Sequence, residues 1–481
     1  MELIFEISRP GRRGVKLPPL DVAPAKEIDK KYARAKNAEM PSLSEPEVVR
    51  HFTNLSKMNF GVDADFYPLG SCTMKYNPKF LEKIASMECF SSIHPLQPQL
   101  VRGAMLTQGA LEIISNLEVA LSEIVGMDEF TTQPMAGAHG ELTGVMLMAA
   151  YHKSKGNRRK YIIIPDSGHG TNPASAAIAG YEVKSVKTDE KGGMDIEELK
   201  KVLDEEVAGV MLTCPNTLGI FDVNIKKIAD MVHKVDGLMY YDGANLNAIM
   251  GKARPGDLGF DIVHLNLHKT FATPHGGGGP GAGPVGVKEH LAKFLPTSRV
   301  VRRKDGTFAL DYDRPHSIGY ISQFYGNFAV LLKAYAYILL MGKEGLIEVS
   351  ENAVLNANYI KCRLRGHYDI PYGENTMHEF VISAARQAEK GVHAIDIAKA
   401  LIDKGIHPPT VYFPLNVKEA IMIEPTETES KDTLDHFSDI MIEFARLAET
   451  DPGFFKDAPR ATPVGRLDEV KAAKDMDLAS L

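Results

Sequence analysis

A lysine beside a glycine-rich stretch is the first feature of this sequence that could do chemistry. Lys269 follows the apolar run 261–265, which is typical of a short buried strand, and precedes the glycine-rich loop 275–281. Glycine has no Cβ, so a backbone rich in glycine can approach a bound phosphate closely. The amine of Lys269 could therefore hold an anion or form a Schiff base. A single lysine is more often plain surface charge, so other residues must decide between these roles.

Three other polar residues also follow predicted strands. Asn216 and Thr217 come shortly after the apolar run 207–213, and Asp242 comes directly after the next apolar run. Because the carboxyl ends of parallel strands meet at one edge of a sheet, we expect these side chains to lie near Lys269. An aspartate at a strand end is more often a turn residue or a helix cap, so Asp242 alone decides little.

A segment of small residues could bind an anion at the same edge. Ala136, Gly137, Ala138 and His139 precede an apolar stretch, up to residue 152, that is typical of a helix. The first amides of a helix lack partners within it, and the helix dipole adds positive potential there. The segment therefore predicts a phosphate site at Gly137 and Ala138, although tight helix packing would select the same small residues.

Alternating strands and helices must position these residues. Apolar runs typical of strands alternate with stretches of helical periodicity from residue 160 to 265. The predicted strands are 161–165, 181–186, 207–213, 238–241 and 261–265, and the predicted helices are 173–179, 196–203 and 225–235. This order predicts an α/β fold with a mostly parallel sheet flanked by helices on both faces.

The converging residues are the parts that a pyridoxal 5'-phosphate (PLP) enzyme needs. Lys269 would form the Schiff base with the cofactor's aldehyde. Asp242 would pair with the pyridine nitrogen and keep it protonated, which makes the ring an electron sink. The helix start at Gly137 and Ala138 would bind the phosphate.

Further residues would frame the cofactor ring. His139 could stack on one face, and the small Ala244 would let the other face pack closely. Thr217 or Asn216 could donate to the phenolic oxygen. The glycines that follow Lys269 would then form a close-packed or mobile lid. Each residue also has an ordinary structural explanation, but the ordered set on one sheet edge is much less expected by chance.

Five segments of the chain carry a resemblance to a known family. They are 68–75 (PLGSCTMK), 136–141 (AGAHGE), 242–245 (DGAN), 268–281 (HKTFATPHGGGGPG) and 424–427 (EPTE). The sequence resembles the PLP-dependent glycine dehydrogenase (decarboxylating), the P-protein of the glycine cleavage system, from about residue 50 to 450. The resemblance implies the PLP-dependent transferase fold (fold type I) with a smaller C-terminal α+β domain. It identifies Lys269, preceded by His268, as the Schiff-base lysine.

The resemblance also implies an activity and partners. The implied reaction is decarboxylation of glycine, with transfer of the aminomethyl group to the lipoyl arm of a carrier, the H-protein. Single-chain members of the family are about twice as long and consist of two similar halves, and this chain matches the catalytic C-terminal half. A separate homologous chain, subunit 1 of the split form, is therefore implied, in an αβ pair that dimerises again to α2β2.

The residues that would orient glycine are less well defined by the sequence. Candidates are the loop 71–77, His94 and His169, the last of which we expect to act in catalysis with Lys269 and His139. The loop packs hydroxyl, thiol, amine and aromatic groups together, as site loops do, although a structured connector would look similar. Cys72 within it is either a redox-sensitive thiol or, more commonly, a small packing residue.

Other functions remain open on the same residues. An aminotransferase or a desulfurase would keep the fold and the cofactor and change the chemistry. A scaffold that has lost catalysis is disfavoured because both Lys269 and Asp242 are present. Nucleotide binding at the glycine-rich loop is disfavoured because the lysine precedes the glycines, the reverse of the phosphate-binding loop order.

Composition excludes several classes of protein. The 481 residues include 55 basic and 62 acidic side chains, a net charge of -7, which argues against a general nucleic-acid binder. The four cysteines form no CxxC pair, so we predict neither a metal site nor a disulfide framework, and a reducing, cytoplasmic location fits best. The N-terminus lacks the pattern of a signal peptide, and no apolar run is long enough for a transmembrane helix.

The sequence predicts three regions. Residues 1–90 would form an N-terminal arm and a helical segment, 91–330 the large PLP-binding domain, and 331–481 the small C-terminal domain. The proline-rich, charged stretch up to about residue 45 would either wrap a partner subunit or remain a mobile terminus.

Overall fold

The elements of the fold follow the predicted order closely. The computed structural model describes residues 2–24, 28–36, 38–100, 103–276 and 281–475. Its strands are β1 Glu129–Thr131, β2 Tyr161–Pro165, β3 Glu182–Val186, β4 Val207–Thr213, β5 Leu238–Gly243, β6 Ile262–Leu265, β7 Val285–Val287, β8 Arg299–Arg302, β9 Phe308–Asp311, β10 Phe380–Ser383, β11 Thr410–Val411 and β12 Ala420–Ile423. Its α-helices are α1 Glu45–Ser56, α2 Phe80–Ala85, α3 Glu88–Ser91, α4 Gln108–Val125, α5 Gly137–Ser154, α6 Thr171–Ile178, α7 Ile196–Val202, α8 Ile225–Lys234, α9 Phe328–Leu364, α10 Ala385–Ala388, α11 Ala394–Asp403, α12 Lys431–Thr450 and α13 Glu469–Lys474.

The large sheet is mostly parallel, as predicted. Its strand order is β1-β7-β6-β5-β4-β2-β3, and the pairings among β3, β2, β4, β5 and β6 are all parallel. The strand β7 is antiparallel to both of its neighbours. The sequence did not predict β1 or β7, because a three-residue strand is too short to establish a periodic pattern.

The central strands are buried on both faces. Every residue of β4, β5 and β6 is buried, and their side chains pack in the two apolar clusters on either side of the sheet. Helices over both faces exclude water from the strands, which is why these segments are continuous apolar runs and do not alternate with polar residues. The polar residues that follow these strands are thereby brought to a single edge.

One helix approaches the sheet unusually closely. Gly137, Gly140 and Gly144 of α5 face the strands β5 and β6. A Cβ on Gly137 would overlap the Asn266 side chain, and a Cβ on Gly144 would overlap the ring of Tyr240. Phosphate binding and tight helix packing, the two predicted roles of this segment, are therefore compatible. The small residues that allow close packing also place the helix start beside the strand ends.

The long helix α9 connects two cores. The sequence predicts separate helices over 323–341 and 344–366; the helix begins later, at Phe328, and is interrupted at Gly342, where φ is 60°. Apolar residues up to Val349 pack with the core beneath the large sheet, and those from Ala357 pack with the C-terminal core. The exact division into residues 1–90, 91–330 and 331–481 stays a prediction.

The smaller C-terminal unit has the predicted α+β composition. Its antiparallel sheet has the order β10-β12-β11, and α11 and α12 contribute to its apolar core. The segment 68–77, which we call the N-terminal loop, attaches to this unit. Its Leu69 forms an isolated antiparallel bridge with Ile423 at the end of β12. The C-terminal sheet therefore holds a segment that lies some 350 residues away in sequence.

The described residues before α1 form turns and irregular segments, with no helix or strand among them. Many of their apolar side chains are exposed, including Leu17 (79%) and Leu20 (74%). The helix α1 begins with a capping box formed by Ser44 and Glu47. Among the helices that the structure describes, none has the length and apolar character needed to cross a membrane.

Truncation of Leu117 tests the core beneath the large sheet. Leu117 in α4 is fully buried, whereas Val119 in the same helix is 66% exposed. We expect Leu117→Ala to lower the free energy of unfolding by about 2–5 kcal/mol, because the removed methyl groups leave a cavity. Val119→Ala is the matched control and should change it by less than about 1 kcal/mol. Urea unfolding measures both; equal effects would contradict the assigned packing.

Candidate active site

A cavity of about 190 Å³ lies at the carboxyl edge of the large sheet. The residues that follow β4, β5 and β6 form its walls, together with the N-terminus of α5, the segment that enters α6 and Ser71 from the N-terminal loop. The lining residues are Ser71, Gly137, Ala138, Glu141, His169, Thr171, Thr213, Thr217, Asp242, Ala244, Asn245, Asn266, His268 and Lys269. The predicted edge of the sheet is thus where the polar groups converge.

Lys269 is held in the turn after β6. Its amide donates to the carbonyl of Asn266 at 3.0 Å, which closes the turn. Its Nζ donates to the carbonyl of Ser71 at 2.6 Å. The buried Lys75 secures the next residue, because its Nζ donates to the carbonyl of Thr270 at 2.7 Å and to Glu427 at 2.6 Å. The N-terminal loop thus fixes both the side chain and the backbone of this segment.

Asp242 is a buried, ionised carboxylate at the end of β5. Burial acts to raise its pKa, but His264, Lys269 and a hydrogen bond from the Ala244 amide outweigh burial and hold the pKa below its usual value. Its Oδ1 lies 3.4 Å from Nε2 of His264, whose Nδ1 is 2.7 Å from the hydroxyl of Tyr240. An anion stabilised in this way can pair with a protonated ring nitrogen of a ligand.

A second carboxylate, Glu141, adjoins Asp242. Burial, followed by the charge of Asp242, raises the pKa of Glu141 to about 8. Thr171 donates to Glu141 at 2.7 Å. With its amide nitrogen turned toward the acids, Asn172 donates to Glu141 at 2.9 Å and to Asp242 at 3.3 Å. The pair therefore carries one negative charge at neutral pH, and that charge resides on Asp242.

At the start of α5, no side chain of the described residues caps the helix. Gly137 and Ala138 line the cavity, so the first amides of this helix are available to a ligand there. The macrodipole of an 18-residue helix adds positive potential at the same point. This arrangement suits a phosphate group.

The cavity brings together most of the residues that the sequence singled out. Gly137, Ala138, His169, Thr217, Asp242, Ala244, His268 and Lys269 all line it. His139 does not: its Nδ1 accepts from the Met135 amide at 3.2 Å, and its ring stacking on a cofactor stays a prediction. The hydroxyl of Thr217 donates to the carbonyl of Ser167 at 2.7 Å.

Other predicted candidates lie away from the cavity. Asn216 is bound into its own turn, since its Nδ2 donates to the carbonyl of Gly192 and its Oδ1 accepts from two amides. His94 lines a different, apolar cavity together with Phe324 and Phe328. In the predicted glycine-rich lid, residues 277–280 lie outside the described residues.

Cys72 behaves as a packing residue more than as a reactive thiol. Burial raises the pKa of its thiol, and Lys269 offsets this only in part. A thiol with a raised pKa is a poor nucleophile and is oxidised slowly. The packing interpretation of Cys72 is therefore favoured.

Sequence reasoning missed several residues of the cavity. Glu141, Thr171, Thr213, Asn245 and Asn266 line it and were not among the predicted site residues. Asn266 and Thr213 lie at the ends of β6 and β4, so the strand-end argument that selected Asp242 could have found them. Glu141 ends a segment that carries the family resemblance, but it lies within a predicted helix, where the strand-end argument does not apply.

Comparisons with known proteins identify the family. Residues 20–309 match the family model "Glycine cleavage system P-protein", and residues 349–451 match "Glycine dehydrogenase, C-terminal domain". The chain belongs to the glycine cleavage system P-protein family. A probable glycine dehydrogenase (decarboxylating) subunit 2 from Caldanaerobacter subterraneus subsp. tengcongensis is 57% identical over 477 residues, which cover 98% of this chain and 97% of that protein. One from Bacillus licheniformis is 56% identical over 476 residues, which cover 98% and 97%.

Solved structures support the fold of this P-protein family member. A glycine decarboxylase (P-protein) in inhibitor-bound form aligns with a TM-score of 0.71 at 20% identity, over 86% of this chain and 93% of that one. A glutamate decarboxylase from Lactobacillus brevis aligns with a TM-score of 0.66 at 13% identity, over 88% and 96%. The predicted fold, a fold type I PLP-dependent transferase fold with a smaller C-terminal domain, is confirmed.

The raised pKa of Glu141 predicts a pH-dependent stability. In the unfolded chain Glu141 ionises near 4.5, whereas in the folded chain it holds its proton to about 8. The folded state is therefore destabilised progressively as the pH rises between these values, because only the unfolded chain releases the proton.

Glu141→Gln cannot ionise and serves as the reference. We expect the wild-type chain to lose more than about 1 kcal/mol of stability relative to this variant between pH 5 and pH 8. Urea unfolding at a series of pH values measures the difference. Parallel profiles for the two proteins would contradict a proton on Glu141.

Proposed function

We propose that this chain is the PLP-bearing subunit of a two-subunit glycine decarboxylase. It would remove the carboxylate of glycine and pass the aminomethyl group to the lipoyl arm of the H-protein. The observation that carries the proposal is that Lys269 and Asp242, at the ends of neighbouring strands, line one cavity in a chain with relatives named glycine dehydrogenase (decarboxylating) subunit 2. An aminotransferase or desulfurase has less support.

The residues around the cavity fit PLP. Buried polar atoms of three lining residues have no partner among the described residues: Oδ1 of Asn245, Oδ1 of Asn266 and Nδ1 of His268. Buried polar atoms are almost always satisfied, so these atoms favour a polar ligand in the cavity. An uncapped helix start, an ionised aspartate and a lysine complete a donor set that matches a phosphate, a ring nitrogen and an aldehyde.

Each residue then has a defined task. The Lys269 amine would hold the cofactor covalently, and the amides at Gly137 and Ala138 would bind its phosphate. Asp242 would keep a proton on the ring nitrogen, and Glu141, being neutral, leaves that charge on Asp242. When bound, PLP supplies an electron sink for the pair released as the carboxylate leaves. Asp242 is buried, which strengthens its interaction with a ring proton.

The charge of the cavity favours decarboxylation. Apart from Lys269, which would hold the cofactor, no lysine or arginine lines it within the part of the chain that the structure describes. Burial lowers the pKa of His169, and it lowers that of His268 to about 3, so both rings are neutral at neutral pH. A carboxylate loses its charge as it becomes CO2, so a fixed cation beside it would stabilise the substrate more than the transition state.

Partners follow from the proposed function. The relatives are named as subunit 2, which implies a subunit 1 for this chain. We propose an αβ pair that dimerises to α2β2, and the exposed apolar residues of the N-terminal arm, such as Leu17 and Leu20, suit a subunit contact. The H-protein as carrier, glycine as substrate and the cytoplasmic location stay predictions.

Exchange of labelled bicarbonate into glycine tests the reaction. The chain purified with subunit 1 and supplied with PLP and lipoylated H-protein should catalyse this exchange. Lys269→Ala should abolish it, whereas Lys288→Ala, which removes a lysine outside the cavity, should leave it within about twofold. An exchange rate at background for the wild-type pair, together with turnover of cysteine or amino-group transfer, would favour the alternatives.

Substitution of two buried aspartates, one inside the site and one outside it, distinguishes the proposed electrostatic role of Asp242 from a general loss of stability. Asp242 lies at the carboxyl end of β5, and Asp261 lies just before β6, at the opposite edge of the sheet, where it accepts from the Met239 amide at 2.8 Å. We expect Asp242→Asn to lower the exchange rate by at least about 100-fold, since an amide does not hold the ring proton. Asp261→Asn should cost stability and retain most of the rate. Comparable rate losses in both variants would contradict the role of Asp242.

A further inference from the structure

Two buried glutamates of the C-terminal unit reach the active site without a role in the proposed chemistry. Glu379 and Glu424 are both fully buried. One carboxylate oxygen of each, and a ring nitrogen of His378, all lie within 4.8 Å of one another. No lysine or arginine of the described ranges forms an ion pair with either carboxylate. Buried acids in such a position require another explanation.

Both glutamates hold the loop that contacts Lys269. Glu379 Oε2 accepts from the Ser71 amide at 2.6 Å. Glu424 accepts from the Thr73 amide at 2.8 Å and from the Thr73 hydroxyl at 2.5 Å. Each glutamate therefore binds the loop on one side of Cys72.

The backbone of this loop needs such support. Ser71 and Thr73 have φ values of 60° and 47°, in the left-handed region that non-glycine residues seldom occupy. Strained backbone of this kind persists only where surrounding contacts impose it, and it is concentrated at functional sites. The carbonyl of Ser71, which these contacts orient, accepts the Nζ of Lys269 at 2.6 Å. The glutamates thus affect the position of the Lys269 amine through the carbonyl of Ser71.

The two carboxylates cannot both be ionised. Burial raises the pKa of Glu424, and burial together with the charge of Glu424 raises that of Glu379 well above its usual value. Glu424 is the better stabilised anion, because Thr73 donates to it twice and Asn247 donates at 3.3 Å. Among the described residues, Glu379 accepts from Ser71 and, at 3.4 Å, from Asn245.

The remaining groups that face the pair do not alter this assignment. They are Lys269, the thiol of Cys72 and His378. Burial lowers the pKa of His378 to about 3, so its ring adds no charge at neutral pH. Burial also raises the pKa of the Cys72 thiol, which keeps it neutral. Of this pair, therefore, only Glu424 presents a negative charge to Lys269, which also faces the ionised Asp242.

We propose that Glu379 and Glu424 are positioning residues for Lys269, with Glu379 neutral and Glu424 ionised. Together they fix the Ser71–Thr73 segment, and the Ser71 carbonyl then sets the place of the lysine amine. Glu424 also supplies the negative charge that the amine faces. The inference rests on the proposed function only in assigning the cofactor to Lys269.

Chemical labelling of the lysine tests the proposal without cofactor or substrate. The full chain, purified with subunit 1 and freed of cofactor, is pulsed with acetic anhydride, and acetylation of Lys269 is quantified by mass spectrometry against surface lysines of the same digest. We expect Glu424→Gln to raise the acetylation rate of Lys269 several-fold, because Thr73 loses one of its two acceptor oxygens and the amine loses a negative charge that it faces. Glu379→Gln mimics the protonated acid, so in this variant the acetylation rate of Lys269 should stay within about twofold of the wild-type rate.

Three further variants make the result specific. Glu118→Gln, a buried glutamate of α4 paired with Arg299 outside the site, is the matched control and should leave the rate unchanged. Glu424→Asp, which keeps the charge, should restore the rate in part. Thr73→Val removes the hydroxyl donor with little change of shape, and it should raise the rate even if Glu424→Gln fails to fold. A wild-type rate in both Thr73→Val and Glu424→Gln, or equal increases in the two glutamine variants, would overturn the proposal.

A spectroscopic measurement distinguishes the effect of the negative charge on Glu424 from the effect of its hydrogen bonds to the loop. With PLP added, we expect the pH at which the visible band of the bound cofactor changes to fall by about one unit in Glu424→Gln, since a stabilising anion is lost. Glu379→Gln and Glu118→Gln should match wild type, and an equal shift in both site variants would contradict the charge assignment. Absence of a visible band in every protein, wild type included, would contradict the proposed function, while the acetylation rates would still decide the role of the pair.

Discussion

The close contact between α5 and the strands β5 and β6 is the constraint on which the site depends. Three glycines permit it, and a single Cβ at Gly144 would press into the ring of Tyr240 and lift the helix from the sheet. The same contact sets the uncapped helix start beside Asn266 and brings Glu141 next to Asp242. The phosphate end and the ring-nitrogen end of the proposed cofactor site are thus spaced by one helix–sheet interface.

Buried acids shape the electrostatics on both sides of Lys269. Glu141 and Asp242 lie beneath the cavity, and Glu379 and Glu424 lie behind the N-terminal loop. In each pair burial and mutual repulsion keep one acid protonated, so the site carries fewer negative charges than its composition suggests. In each pair, the ionised acid is the one whose charge its neighbours stabilise better: Asp242 accepts from the Ala244 amide, and Glu424 accepts from both the amide and the hydroxyl of Thr73. The site can therefore pair one buried anion with a ring nitrogen and another with an amine.

The sequence predicts the parts of the site that belong to strand ends and to a helix start. Lys269, Asp242 and Gly137 fall where an α/β sheet gathers its ligand-binding residues, so an ordered pattern of apolar runs is sufficient to find them. Glu141 could not be found in this way, because its role arises from a contact with Asp242 that is created only when α5 packs on the sheet. Glu424 lies in a segment that carries the family resemblance, but its bonds to Thr73 span 351 positions of the chain and follow from no local pattern. The strands β1 and β7 are too short for any periodic signal.

Trapping of the cofactor on the chain tests the central claim most directly. The purified chain is incubated with PLP, reduced with borohydride, digested and mapped by mass spectrometry. The account predicts one stoichiometric modification, on the peptide that contains Lys269, and its loss in Lys269→Ala. A stoichiometric modification on another lysine, or the same label spread over surface lysines in both proteins, would contradict the assignment of Lys269 as the residue that holds the cofactor.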